Sequence, residues 1–325
     1  MKFKHTFNVF VDNFIVTYKL LLYRLIVLVL SLCLYTAVIL PFLSSISDTT
    51  QVTALADATA QFGTAFVNLD FPAMQTGWAV LKDAFFELID MLFARAGSVI
   101  LAVVLIMLVY VIQKFLLGLG NYTAGAMIND RMAMHANSAF LGSIIKNFGK
   151  ACLYNAIYAP LSFIYGLLTI AAAGGIAAGL WQMGVPVLLI IFAFATTLVF
   201  LNVILMVFTS DWLPSLIYGK TTNLKAIAYS FDYTAKGKNF LDILSNYVVL
   251  VLLVIAMNVA AVLLTFGAGL LITMPASYII LISFEFVNYC DNNEIKYFMD
   301  KNTIVKPEKE PTMTREKFFK GDLEK

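Results

Sequence analysis

The sequence predicts an all-α membrane protein: a polytopic membrane helix bundle of about six transmembrane helices, with amphipathic interfacial helices between them. Three observations predict it. Of the 325 residues, 61% are hydrophobic and only 13% charged, where a soluble domain carries about 25% charge, so most of the surface must face something other than water. The apolar runs reach the roughly 20 residues that cross a bilayer. Amphipathic stripes at helical spacing recur just ahead of those runs.

The stretch 223–273 shows this pattern most clearly. Leu224, Ile227, Ala228 and Phe231 fall on one helical stripe, with Lys225 and Asp232 away from it. Asn223 is placed as an N-cap and Gly237 as a stop. After Asn239-Phe240 the chain runs from residue 247 to 273 without a charge. A helix on the membrane surface thus feeds a helix that crosses it.

Taken in order, residues 1–17 carry Phe3, Phe7, Phe10 and Phe14 on one stripe, suited to an N-terminal interfacial helix in the headgroup region. The first crossing covers residues 20–43 and reads as a retained span, because no small-x-small cleavage site follows it. Residues 44–96 form an outer amphipathic segment. Its first part, 51–65, is Ala/Thr-rich, Phe71-Pro72 breaks it, and 76–93 is a second amphipathic helix with a wide apolar face. The second crossing is 98–117, followed by a polar connector over 119–135 and a stripe of Phe140, Leu141, Ile144, Ile145 and Phe148. The remaining crossings are 153–173, 185–207, 247–266 and 270–289, the last two joined by a tight Gly267-Ala268-Gly269 turn. Residues 1–290 form one six-span membrane domain, with a cytoplasmic amphipathic helix within 212–238. Residues 291–325, charged and containing Pro307 and Pro311, read as a mobile cytoplasmic tail.

Topology follows from the cations. With both termini in the cytoplasm and six crossings, only Lys82 and Arg95 of the 22 Lys and Arg fall outside. The outer segment instead carries Asp48, Asp57, Asp70, Asp83, Glu87 and Asp90. The positive-inside bias places the N- and C-termini in the cytoplasm and the protein in the cell (plasma) membrane as a multi-pass protein.

Asn13-Phe14, Asn147-Phe148 and Asn239-Phe240 each end an amphipathic stripe ahead of an odd-numbered crossing. Three parallel two-span repeats with cytoplasmic elbow helices are one reading. Chance matches between residues common at membrane interfaces are the other.

Intramembrane charge is costly and marks function, and Glu285 is the residue that qualifies. It reads either as a proton- or cation-coupling group or as a carboxylate reaching the interface or pairing with Arg24 or Lys114. Asn155, Asn202 and Asn258 serve interhelical hydrogen bonds or line a pathway. Asp83, Glu87 and Asp90 share one helical face that reads as solvated; a divalent-cation site would use such oxygens, but nothing in the sequence closes its coordination sphere. Gly174, Gly175, Ala178 and Gly179 give overlapping small-xxx-small pairs, expected to bring helices into close contact, with a hinge or gate as the alternative. Leu224, Ile227, Phe231, Phe140 and Ile144 are the apolar cytoplasmic positions expected to dock a partner.

Several classes are excluded. A net charge of +2 offers nucleic acid no basic footprint. Two His and Cys33, Cys152 and Cys290 are too scattered for a metal site or a disulfide framework, and His135 has no metal-ligand partner at useful spacing. Asn121-Tyr122-Thr123 matches a glycosylation sequon, but on the cytoplasmic side. P-loop, G-x-S-x-G, H-E-x-x-H and Cys-x-x-Cys motifs are all absent. Neither an enzyme nor a bound cofactor or metal is expected.

The segment Trp212-Leu213-Pro214, Ala226, Ser230-Phe231 and Asn239-Phe240 resembles a group of poorly characterised bacterial six-span integral membrane proteins. It is also similar to the membrane domain that precedes the catalytic domain in some glycerophosphodiester phosphodiesterases. The likeness covers mainly the C-terminal 120 residues or so of the sequence. No phosphodiesterase domain is present, so the resemblance implies a membrane architecture and carries no catalytic residues. The expected function is a non-catalytic membrane module that binds the lipid bilayer and a cytoplasmic or membrane protein partner, or handles envelope lipids. The alternative is a permease subunit of an ATP-driven transporter, whose cytoplasmic helices at 212–238 or 127–148 would dock a separate ATPase. Proton-coupled transport through Glu285 is a third.

Overall fold

The computed structural model describes residues 2–46, 49–219, 221–235 and 237–305. Asp48, Lys236 and the tail from residue 306, which enter the readings above, lie outside them. The described residues form eleven helices: α1 (Lys2–Asp12), α2 (Phe14–Ile46), α3 (Thr50–Val67), α4 (Phe71–Ala94), α5 (Ala96–Met134), α6 (Phe140–Gln182), α7 (Val187–Thr209), α8 (Trp212–Ile217), α9 (Asn223–Ala235), α10 (Gly237–Thr265) and α11 (Leu270–Asn292). A short antiparallel hairpin, β1 (Tyr297–Phe298) with β2 (Ile304–Val305), follows. Six of the helices are long and apolar enough to cross a membrane. They are continuous because lipid offers no partner to an open backbone amide.

Two helices outrun the bilayer. α5 has 39 residues and α6 has 43, where about 20 suffice to cross. The expected polar connector at 119–135 is therefore mostly the end of α5, and the stripe beginning at Phe140 is the start of α6. No proline interrupts either junction. The sequon lies inside α5, with Tyr122 and Thr123 buried.

The elbow pattern forms at the first of its three expected places and not at the second. At each pair the asparagine amide donates back to a carbonyl upstream: Asn13 to Val9 at 2.8 Å, Asn147 to Ser143 at 3.0 Å, and Asn239 to Tyr233 at 3.2 Å. A helix break accompanies the first; at the third, residue 236 between α9 and α10 lies outside the described residues. α6 runs through Asn147 without one, since that bond is an ordinary back-bond within a helix.

The helices gather into two units. One contains residues 22–119 and 152–205. Here α3 and α4 form a helical hairpin, and the Phe71-Pro72 break begins α4 instead of ending order: Asp70 accepts from the Ala73 amide at 3.1 Å and the proline sits in the first turn. The rings of Phe62, Trp78 and Trp181 follow one another at 5.8 and 6.0 Å, beside Ala65, Met74 and Val187. Asp83, Glu87 and Asp90 are exposed. Tyr23 donates to the Leu116 carbonyl at 2.8 Å and Tyr35 to Gln113 at 3.1 Å. The close helix contact is not at the expected glycines: a methyl group on Gly174, Gly175 or Gly179 would meet nothing within 4 Å. It is at Gly118, where a Cβ would collide with the amide of fully buried Asn155.

The other unit contains residues 2–21, 120–151 and 206–305 of the described chain. α11 is its enclosed helix: 56% of its most apolar window is buried, against 11% in each of the other five spans. α10 joins it through Asn258, which donates to Ser277 Oγ at 3.0 Å and accepts from Thr273 Oγ1 at 2.8 Å. Asn202 instead bonds within its own helix, to the Leu198 carbonyl. At the α10–α11 junction Phe266 takes the left-handed position at φ 52° ahead of Gly267 at 91°.

α1 docks on α11 by a face the phenylalanine spacing did not indicate. Its buried stripe is Thr6, Val9 and Asn13, continued by Val16 and Leu20 in α2. The expected stripe lies beside it, with Phe3 against Phe284 at 6.2 Å and Phe14 exposed. The start of the expected mobile tail is ordered as well. His5 donates to Tyr297 Oη at 2.8 Å, Tyr297 donates to Asp291 at 3.0 Å, and Asn8 reaches Met299 sulfur at 3.4 Å. His135 is not partnerless, lying 3.9 Å from Asp12, itself paired with Arg131 at 2.8 Å.

Gly118→Ala is expected to destabilise the protein by about 1–3 kcal/mol, the usual cost of overpacking, while Gly174→Ala leaves it unchanged. Thermal unfolding in detergent reads both; equal effects would place the close contact elsewhere.

Candidate functional site

The site is built at the end of α7. Its last turn stops at Thr209, and Ser210 and Asp211 lead into α8. The break is held by α9: Ser230 Oγ donates to the Phe208 carbonyl at 2.7 Å and accepts from the Asp211 amide at 3.3 Å. Thr234 adds a contact to the Val207 carbonyl at 3.4 Å. These hydroxyls take up backbone groups that a helix end leaves open.

Asp211 is 0% exposed. Lys2 from α1 and the Asn288 side chain from α11 face its carboxylate, the first as a charge and the second as a hydrogen-bond partner. Ser210 Oγ, also buried, closes no hydrogen bond among the described residues. Lys2 Nζ is committed elsewhere: it donates to Asn288 Oδ1 at 2.9 Å and Asn292 Oδ1 at 3.4 Å, and pairs with Asp242 at 3.5 Å.

A row of tyrosines borders the carboxylate. Tyr218 and Tyr289 are 6.3 Å apart, Tyr289 and Tyr229 6.1 Å, and Tyr229 and Tyr233 6.2 Å. Burial, reinforced by the negative charge of Asp211, pushes the Tyr233 phenol up to about 12. Burial raises Tyr229 as well, against the pull of its 2.8 Å hydrogen bond to Asn293. Both phenols stay neutral across the physiological range and present O–H groups.

Glu285 lies half-buried on α11 between fully enclosed Phe284 and Phe286. It makes no ion pair or hydrogen bond among the described residues, and its charge interacts with that of Asp211. On α11, Glu285, Asn288 and Asn292 follow at i, i+3 and i+7 and so share one face. The sequence singled out Glu285 and missed Asp211, Lys2 and Asn288. One signal was present: Asp211 is the only acid between Asp130 and Asp232.

The expected docking residues divide. Leu224 is 74% exposed, Phe231 is exposed with its ring stacked on Phe208 at 5.3 Å, and Ile227 is half-buried. The inward stripe of α9 is Asn223, Ala226, Ser230 and Thr234. Asn223 is thus no N-cap; it is buried inside the helix with its amide unpartnered. Gly237 is helical, in α10, and residue 236 before it lies outside the described residues. Phe140 is buried and Ile144 half-buried, which takes Phe140 out of the docking set. The outward face of that part of α6 is Leu141, Ile145 and Phe148.

Lys2→Met is expected to lower the melting temperature more than Asp242→Asn. Hydrogen bonds to a charged group contribute about 1.5–3 kcal/mol, whereas the Asp242 carboxylate, 62% exposed, belongs to a screened pair contributing about 0–1 kcal/mol. Equal shifts would mean that the two asparagine contacts add nothing.

No family model, curated protein or solved structure matches the chain.

Proposed function

We propose that this chain is a non-catalytic integral protein of the plasma membrane, with both termini cytoplasmic, that handles envelope lipids through its cytoplasmic helices. The carrying observation is the two-faced α9. Its inner face is small and polar and is bound to the end of α7, so its apolar residues Leu224 and Phe231 point outward. That outer face is continuous with the spans: Phe231 lies on Phe208, and Phe208 lies 5.7 Å from Phe240 of α10. An apolar face continuous with membrane-crossing helices meets the boundary between headgroups and acyl chains. The start of α6 repeats the arrangement, with Leu141, Ile145 and Phe148 exposed beside Lys146 and Lys150 and no acid anywhere in the helix. Anionic headgroups are the chemistry those lysines meet.

The same outward face would serve a permease subunit as a dock for an ATPase, and one experiment separates the two. The protein is purified in mild detergent beside a variant carrying Leu224→Ser, Ile227→Ser and Phe231→Ser, and co-purifying lipids and proteins are identified by mass spectrometry. Lipid bound to the unmodified protein and depleted from the variant is the expected result. An ATPase recovered with the former and lost from the latter would replace this reading with the permease. Replacing all of 212–238 would be a poorer test, because α8 and the inner face of α9 are buried.

Orientation is checked separately. In a cysteine-free background, Asp83→Cys is expected to react with a membrane-impermeant maleimide on intact cells and Lys225→Cys only after permeabilisation. The reverse pattern would invert the topology.

A further inference from the structure

α4 presents three faces. Its inward face buries Met74, beside Ala65 of α3, and Ala84. A second face carries Asp83, Glu87 and Asp90, all exposed. On the third, Phe71, Trp78, Phe85, Ile89 and Phe93 stand at i, i+7, i+14, i+18 and i+22, one stripe of a helix. That stripe is open, with Phe71 53%, Phe85 50% and Phe93 74% exposed. Both ends of α4 are fastened to the ends of spans. Arg95, its C-cap, donates from Nη1 to the carbonyl of Ser45 at the end of α2. At the other end the Trp78 ring meets that of Trp181 at 6.0 Å, and Met74 packs beside Val187. Trp181 lies in the last turn of α6 and Val187 opens α7. Successive crossings alternate in direction, so the C-terminal ends of α2 and α6 emerge on the same side. From Trp78 to Arg95 the helix rises about 25 Å, a length it runs along the membrane surface between these anchors. We propose that α4 lies in the interface of the leaflet at the C-terminal ends of α2 and α6, its phenylalanine stripe among the acyl chains and its acids in water.

Three features select lipid over a protein partner. The first is level: both anchors of the stripe are places where spans leave the bilayer, so its open side chains lie at the height of the headgroups. The second is Lys82, which stands in the stripe between Trp78 and Phe85. Its ammonium turns out of the stripe to Asp83 at 3.7 Å, as a lysine does when its stem lies along apolar surface and its charge reaches for water. The third is continuity. Trp78 rests on Trp181 of α6, so the stripe extends the apolar surface of a span. An apolar face of this kind beside a charged one sinks about 5–10 Å into the boundary between headgroups and acyl chains. The hairpin then fastens the ends of α2, α6 and α7 to one another through the headgroup layer. The inference rests on the six helices crossing the membrane. It holds in either orientation, and it stands apart from the lipid-facing surface of α9.

The test reads the two open faces of α4 separately. In a cysteine-free background, Phe85→Cys and Phe93→Cys report on the stripe, and Asp83→Cys and Asp90→Cys on the acidic face. Leu101→Cys, at an exposed position on α5, supplies a reference within a span. Each full-length chain is labelled with a nitroxide and reconstituted into phosphatidylcholine liposomes. Spin relaxation is then measured with oxygen, which partitions into acyl chains, and with a water-soluble nickel chelate. The expected result is an oxygen-to-nickel accessibility ratio several-fold higher at Phe85→Cys and Phe93→Cys than at Asp83→Cys and Asp90→Cys. Equal ratios on the two faces, with oxygen still preferred at Leu101→Cys, would overturn the proposal and leave the spans standing. Loss of that preference at Leu101→Cys would overturn both together. Shielding of the stripe from oxygen and nickel alike would place protein against it, a second copy included, and would overturn the proposal equally. Each face is read at two positions, so a variant that does not fold leaves the other to decide.

Discussion

The ammonium of Lys2 joins three helices. It ties α1 to α11 through Asn288 and Asn292 and to α10 through Asp242, and charge-assisted bonds of this kind are the strong ones. α1 needs them. It has 11 residues, and isolated helices shorter than about 12–15 residues are marginal. Once docked, α1 becomes a platform: His5, Asn8 and Asp12 hold Tyr297, Met299 and Arg131. A hairpin of two-residue strands would not stand alone. The unit around α11 is thus closed by contacts nearly 300 residues apart in the chain, such as Lys2–Asn288 at a separation of 286.

The membrane spans were legible because lipid imposes one rule on them, an apolar surface and an unbroken helix. Which side of a helix meets protein was much less legible, for a physical reason. In water the apolar stripe turns inward; beside lipid it has no need to, and small and hydroxyl-bearing residues make the protein contacts. α9 follows the membrane rule, with Asn223, Ala226, Ser230 and Thr234 inside and Leu224 outside. α1 does so in part, through Thr6 and Asn13. The periodicity picked out the outward face of α9 and, on α1, the face beside the one that docks; it gave no notice of the small and hydroxyl-bearing faces that meet protein. The glycines of α6 misled similarly, since small residues permit close packing without requiring it.

The candidate site was half legible. Glu285 stood out as a charge inside an apolar run, and its charge interacts with that of Asp211. Asp211 itself lies at the end of a span, where a charge attracts no notice. Its burial is a product of assembly, with α1, α9 and α11 converging on the end of α7. No local pattern encodes that convergence.

The inner face of α9 has one further implication. Hydroxyl-to-carbonyl bonds and small side chains hold it to the end of α7, so little apolar area is sealed there. Water can replace such bonds almost one for one, so lifting this helix away costs far less than withdrawing a leucine-packed one. Local opening of this kind lies at the low end of a protein's free-energy scale. The segment that packs over Asp211 is thus held by the kind of contact that water replaces most readily.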